Sequence, residues 1–262
     1  MKPIIVCADD FGMDAAVSAG ILDCVDAGRV SATSCMTLSA YWPECAAALR
    51  ERREYVDCGV HLDLTEFSRP NGASLARLIL ACYGGQVNAT VAATWVNAQL
   101  DAFERVMRVE PCFLDGHQHV HQLPAIRDAV VSVVRHRYGG RCALRSTRAT
   151  QWRGLKSAVI DRLGAAELSR QAQALGLRMN RDFAGVYDFN PDADFEVLMA
   201  GWLASLEAGG MVMTHPARPS FELTVTDTIR AARVREHAWW LSGQAGDLLK
   251  QLQIKVARFH EI

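Results

Sequence analysis

No apolar run in the 262 residues is long enough for a membrane-spanning helix. An excess of one charge is also missing: 28 Lys and Arg stand against 29 Asp and Glu, for a net charge of −1. That excludes a global positive field for holding nucleic acid, though not a local basic patch. Paired-cysteine motifs are absent as well. The eight cysteines (Cys7, Cys24, Cys35, Cys45, Cys58, Cys82, Cys112 and Cys142) include no Cys-x-x-Cys, and several sit in apolar runs such as IIVC and TSCM. This is the pattern of buried free thiols in a reducing compartment rather than of a disulfide framework or a structural zinc site. The opening MKPIIVCADD reaches two acids quickly and lacks the apolar stretch of a secretory signal, so a cytoplasmic location is expected. There is no linker rich in Gly, Pro or Ser, no low-complexity segment and no internal repeat. Residues 1–262 are therefore expected to form one domain.

What is present is an alternation. Half the residues are apolar and 22% are charged, enough to build a sizeable core. Short, partly β-branched runs predict strands at 3–8, 30–38, 56–62, 112–114, 141–145, 211–214 and 254–259. Between them, helical patterns cover 13–27, 42–53, 90–109, 124–137, 155–163, 166–175, 194–208 and 227–241, with a last helix following. The stretch 65–88 is less regular and carries Pro70, Gly72, Gly84 and Gly85 around a short helical piece. Strand–helix alternation predicts an α/β fold with a mostly parallel sheet, open or closed into a barrel.

The unusual polar residues fall at strand ends. Asp9 and Asp10 follow the first strand, and His61 and Asp63 end the third. Asp115, His117, His119 and His121 follow the fourth, Arg145 ends the fifth, and His215 ends the strand 211–214. In parallel α/β folds that C-terminal edge holds active sites. Singly, each motif has a plain explanation: Asp-Asp-Phe-Gly can cap a helix, and a His before Pro can make a turn. The run DGHQHVH is harder to explain away, since three alternate histidines share one face if extended, and a metal is the commonest reason to gather imidazoles. Five of the eight histidines lie on this rim; His136, His237 and His260 read as structural or solvated. Carboxylates, imidazoles and an arginine together form a metal-hydrolase inventory.

The motifs ADDFGMD, GVHLDLT, FLDGHQHVHQLP, the Arg145 strand, RDFAGVYDF and VMTHPA occur in the order seen in the YdjC-like carbohydrate deacetylases, also called the ChbG/HpnK family. The chain resembles that family from Ile4 to about Glu236. The resemblance implies a distorted (β/α) barrel, and hydrolysis of an N-acetyl group on an amino sugar (a mono- or oligosaccharide, or a glycolipid precursor) with one divalent ion, Mg or Zn. It further implies Asp10, His61 and His117 as metal ligands, Asp9 as catalytic base, and His215 as acid or oxyanion support. Arg145 is expected to orient Asp9 or to touch the substrate, and His119 to hold a substrate hydroxyl or a carboxylate that supports the metal ligands. His121 is expected to be drawn away from the metal. Glu66 and Phe67 follow Thr65, and Ala217 and Arg218 follow the His-Pro pair, where family members often have glycine.

The chemistry is consistent with these residue types. Amide hydrolysis at neutral pH needs an activated water, a polarised carbonyl and an acid for the leaving amine. Adjacent aspartates with divided roles, one ligand and one base, supply part of this. Two other functions compete. A phosphoesterase or other amidase on the same barrel would need basic residues near the metal, for which Arg145, Arg148 and Arg218 are available. A non-catalytic sugar-binding protein would have no use for a base beside the ligand. The expected partner is an N-acetylated sugar, with no nucleic acid and no membrane span; a homo-oligomer is compatible with the sequence.

Overall fold

A computed structural model of the chain describes residues 1–68, 74–190, 192–220 and 227–262. Pro70 and Gly72, noted above, lie outside the described residues. Among the described residues, eight parallel strands form one sheet: β1 (Lys2–Phe11), β2 (Ala32–Cys35), β3 (Asp57–Leu62), β4 (Phe113–Gly116), β5 (Ala143–Leu144), β6 (Phe183–Ala184), β7 (Gly210–Thr214) and β8 (Ile254–Val256). Their order is β5-β4-β3-β2-β1-β7-β6, with β8 paired to the start of β1. The helices are α1 (Ala15–Asp26), α2 (Trp42–Arg50), α3 (Leu75–Tyr83), α4 (Ala89–Met107), α5 (Ile126–Tyr138), α6 (Leu155–Ile160), α7 (Ala166–Ala174), α8 (Phe195–Ser205), α9 (Arg230–Leu241) and α10 (Gly243–Gln251). This is the expected α/β architecture, a distorted and incomplete barrel.

Strand alternation divides the core in two. Ile5 and Cys7 of β1 point inward with Phe113, Ala143, Phe183, Met211 and Met213, and fill the barrel. Ile4, Val6 and Ala8 point outward into a second layer with Val60, Leu114 and Val212 and the helix residues Ile21, Leu49, Phe103, Val130 and Trp240. Gly59 is required by the first layer: a Cβ there would lie 2.6 Å from the ring of Phe113. Between β5 and β6 the sheet narrows to a single bridge, Leu144 to Met179. The Asn180 side chain substitutes for missing ladder bonds: its Oδ1 accepts from Ser146 N at 2.8 Å, and its Nδ2 donates to Ser146 O at 2.8 Å.

The helices start where the sequence offers caps. Asp14 accepts from Val17 N, Asn88 from Val91 N and Asp194 from Val197 N, each satisfying an orphan donor of the first turn. Several boundaries differ from expectation. β1 runs on to Phe11, so Asp9 and Asp10 lie inside the strand rather than after it. β6, only two residues long, has no periodicity to reveal it and was not expected. The segment His117–Gln122 is a 3-10 turn with left-handed backbone at Gln118 (φ 51°) and His119 (φ 61°). The three histidines therefore do not share an extended face. The helical stretch after Ala149 packs through Leu168 and Ala172, and Gln122 Nε2 donates to Ile160 O at 2.6 Å. α6 and the π-type turn after it thereby form one wall of a cleft over the strand ends.

Candidate functional site

The cleft has a volume of about 520 Å³. Asp9, Asp10, His61, His117, His119, His215 and Arg233 line its floor; Leu75, Ile79, Val159, Ile160, Leu163 and Phe189 line its walls. Neighbouring residues of a regular strand point to opposite faces, yet both Asp9 and Asp10 reach the cleft. The reason is local. The pairing of β1 with β2 is irregular between Ala8 and Phe11, and Asp10 has φ 72°. A non-glycine residue in that region carries backbone strain and marks a position fixed by its surroundings. Here the bulge turns Asp10 back toward the same opening as Asp9.

Asp10 Oδ1 is the point of convergence. His61 Nε2 lies 3.3 Å from it and His117 Nδ1 lies 3.0 Å from it. The His61 ring is set by its other nitrogen: Nδ1 is 2.6 Å from Asp115 Oδ1, and a carboxylate only accepts, so Nδ1 carries the proton and donates. That is the carboxylate–histidine arrangement that aims the opposite nitrogen at a metal. Ligand atoms bound to one ion at about 2.0–2.2 Å stand roughly 3–3.5 Å from each other, and these separations match. One oxygen and two nitrogens also form a donor set suited to a divalent cation, so the residues fit the ion that the resemblance implies. Without such an ion, burial disfavours charge on His61, but Asp115, then Asp10 and Asp9, outweigh it and push its pKa up to about 10. Asp10 shows the converse: burial would raise its pKa, yet Arg233 and His117 hold it well below the usual carboxylate range.

Cys7, Asp9 and Asp115 form a second cluster of potential ligands, but a cation already fills it. The Arg145 guanidinium donates from Nη1 to Asp9 Oδ2 at 2.7 Å and from Nη2 to Asp9 Oδ1 at 2.5 Å. Nη2 also lies 2.7 Å from Asp115 Oδ2 and 3.0 Å from Cys7 Sγ. Phe183 packs beneath it, its ring centroid 5.8 Å from the guanidinium carbon. Burial would raise the Asp9 pKa, but the charge and hydrogen bonds of Arg145 bring it below the ordinary value. Arg145 is 0% exposed and does not line the cleft. Of its two expected roles, orienting Asp9 fits this geometry; contact with a substrate does not.

The histidines after β4 diverge. His117 faces Asp10. His119 lines the cleft, its ring edge-on to Phe183 at 5.8 Å, and its buried Nδ1 has no hydrogen-bond partner among the described residues. Burial, reinforced by Arg145, holds its pKa well below the usual histidine value. His121 is fully buried and turned away, with Nε2 donating to Arg145 O at 3.1 Å; burial brings its pKa down to about 4. His215 sits after β7 with Nε2 4.0 Å from Asp9 Oδ2, and burial lowers its pKa despite Glu236 and Asp9. His136 and His260 are exposed, and His237 pairs with Asp23 outside the cleft.

Sequence reading missed the contribution of α9. Arg233 Nη2 donates to Asp10 Oδ2 at 2.6 Å, and its Nε donates to Asp227 Oδ2 at 2.8 Å. One turn on, Glu236 accepts from the His215 backbone N at 2.6 Å, from Thr214 Oγ1 at 2.5 Å and from Tyr187 Oη at 2.6 Å. Both side chains are buried, at 2% and 1% exposure. The available signal was their spacing: Arg233, Glu236 and Trp240 share one helical stripe, and two charges beside a tryptophan on a core-facing stripe need partners.

Comparison with known proteins agrees with this architecture. The profile of the YdjC-like protein family matches residues 3–251, and the chain belongs to that family. A mouse (Mus musculus) protein named carbohydrate deacetylase is 28% identical over 250 residues, covering 83% of this chain and 78% of its own. A chitooligosaccharide deacetylase of Yersinia pestis (strain Pestoides F) is 31% identical over 146 residues, covering 52% of this chain and 57% of its own. A solved structure from Enterococcus faecalis V583, provisionally described as a cellobiose-phosphate cleavage protein, superposes with a TM-score of 0.77 at 20% identity. It covers 99% of this chain and 98% of its own, and shares the fold.

Proposed function

We propose that the protein is a metal-dependent hydrolase that removes the N-acetyl group from an amino sugar. The observation that carries this reading is the convergence of Asp10, His61 and His117 on one point with Asp9 beside them. The names of the mouse and Yersinia relatives support the same substrate class. A divalent ion held by Asp10, His61 and His117 would supply Lewis acidity toward water and the acetyl carbonyl. The chain's own groups do the rest. Asp9, kept ionised and fixed by Arg145, takes the proton of the attacking water at a carboxylate oxygen. His215 Nε2, 4.0 Å from Asp9 Oδ2, is placed to deliver a proton to the leaving amine. His119, whose side chain lines the cleft, is placed to hold a substrate hydroxyl.

Phosphoester hydrolysis is disfavoured because the cations at or near the cleft are already engaged: Arg233 by Asp10 and Asp227, and Lys156 by the Tyr187 carbonyl. Arg145 is committed to Asp9 and Asp115, Arg148 is exposed away from the cleft, and Arg218 pairs with Asp23 at 2.5 Å. A panel of N-acetylated mono- and oligosaccharides, assayed for acetate release with and without a chelator, tests the proposal, with phosphate release from phosphorylated sugars measured alongside. Chelator-sensitive acetate release is expected. Phosphate release without acetate release would overturn the reading.

A further inference from the structure

The outer oxygen of the candidate ligand Asp10 is not available to an ion. Oδ1 faces His61 and His117, while Oδ2 receives Arg233 Nη2 at 2.6 Å. Arg233 is in turn fixed by Asp227, whose Oδ2 accepts from Nε at 2.8 Å. Met13 Sδ lies 3.5 Å from the same Nη2, and Arg233 is 2% exposed. A guanidinium held from two sides in a buried setting cannot swing aside as a surface lysine would.

We propose that Arg233 is a positioning residue that confines Asp10 to a single ligating oxygen and deliberately weakens the metal site, leaving room for the reacting oxygens. This inference rests on the proposed metal ligands. Its physical content is a sign. A purely structural arginine would hold Asp10 in place, and its loss would loosen the ligand and weaken metal binding. A confining arginine sets a positive charge against any cation bound to Asp10. Its loss removes a like charge and frees Oδ2, so binding tightens. Carboxylates bind either through one oxygen or through two, and the second mode uses up a coordination position. Tighter binding should therefore come with slower turnover. The substrate class does not enter this argument.

The test uses the full chain stripped of metal by a chelator and titrated with Co²⁺, read by calorimetry and by visible absorption, which reports coordination number. For Arg233→Met, the expected result is a Kd about tenfold lower than wild type, a changed absorption band, and acetate release slowed by about tenfold at saturating Co²⁺. Arg233→Lys keeps the charge and should hold a Kd within about threefold of wild type. Should Arg233→Met fail to fold because Asp227 keeps only Arg230, 3.4 Å away, the double variant Arg233→Met/Asp227→Asn removes that charge, and the same tightening is expected. Weaker Co²⁺ binding in the Met variants, or equal losses in the Met and Lys variants, would overturn the inference while leaving deacetylation intact. Failure of single and double variants alike to fold would assign Arg233 to stability and overturn it too. A wild-type protein that takes up no divalent ion would overturn this inference and the proposed function together.

Discussion

Arg145 grips both oxygens of Asp9, at 2.7 and 2.5 Å, from a position with no exposed surface at all. The same guanidinium reaches Asp115, which orients His61, so one arginine ties the candidate base to the candidate metal ligands. Breaking a buried pair from one side leaves an uncompensated charge, so Arg145→Met should destabilise the fold by about 3–5 kcal/mol. Urea unfolding checks this. A loss below about 1 kcal/mol would mean that the pair is far better solvated than its burial implies.

Glu236 holds the loop after β7 through the His215 backbone N and Thr214 Oγ1. Glu236→Gln replaces one acceptor oxygen by a donor, and His215 loses its fixed position relative to Asp9. Turnover should fall by about 10–100-fold with metal content unchanged. Elemental analysis beside the rate assay separates this outcome from a general loss of folding; metal lost in step with activity would argue against it.

The divergence of the three histidines gives graded expectations. His117→Ala removes a candidate ligand, so metal and activity should disappear together. His119→Ala should lower turnover with the metal retained. His121→Ala loses the bond to Arg145 O and leaves a buried gap, with a cost of about 1–3 kcal/mol in stability. Metal content, rate and urea midpoint for each variant decide the assignment. Full metal in the His117 variant, with loss in the His119 variant, would transfer the ligand role to His119.

The base of β6 offers a pH test independent of the site. Asp182 accepts from Arg153 Nη1 and Nη2 at 2.7 Å each, from Thr150 N at 2.9 Å and from Phe183 N at 2.9 Å. Burial would raise its pKa, but Arg153 and the backbone donors bring it below the ordinary carboxylate range. A folded-state pKa below the unfolded one gives stability that is present above the unfolded value of about 3.9 and is lost as pH falls through the folded value. Asp182→Asn should therefore cost about 1–3 kcal/mol at neutral pH, and the gap to wild type should narrow as pH falls below about 4. A gap that widens with acid would reverse the sign of this contribution.

How much of this was legible in the sequence depends on range. Asp10, His61 and His117 could be brought together because strand ends in a parallel fold share one edge, so order along the chain maps onto neighbourhood in space. Arg145 could be placed near Asp9 for the same reason. Arg233 and Asp10 are 223 positions apart, and their contact depends on how α9 tilts over the barrel, which no local period encodes. The strained turn at Gln118 and His119 was hidden too: alternate histidines suggest an extended run, and only packing against Phe183 and the Arg145 carbonyl turns the three apart. β6 was missed because a strand of two residues carries no pattern.

The central claim is that two adjacent aspartates divide the work, Asp10 holding a metal and Asp9 moving a proton. Acetate release and bound metal, measured on the same samples of wild type, Asp9→Asn and Asp10→Asn with an N-acetylated oligosaccharide, test it most directly. The account predicts that Asp9→Asn keeps its metal and loses about 10²-fold or more in turnover, while Asp10→Asn loses both. Wild-type turnover in Asp9→Asn, or full metal content in Asp10→Asn, would contradict it.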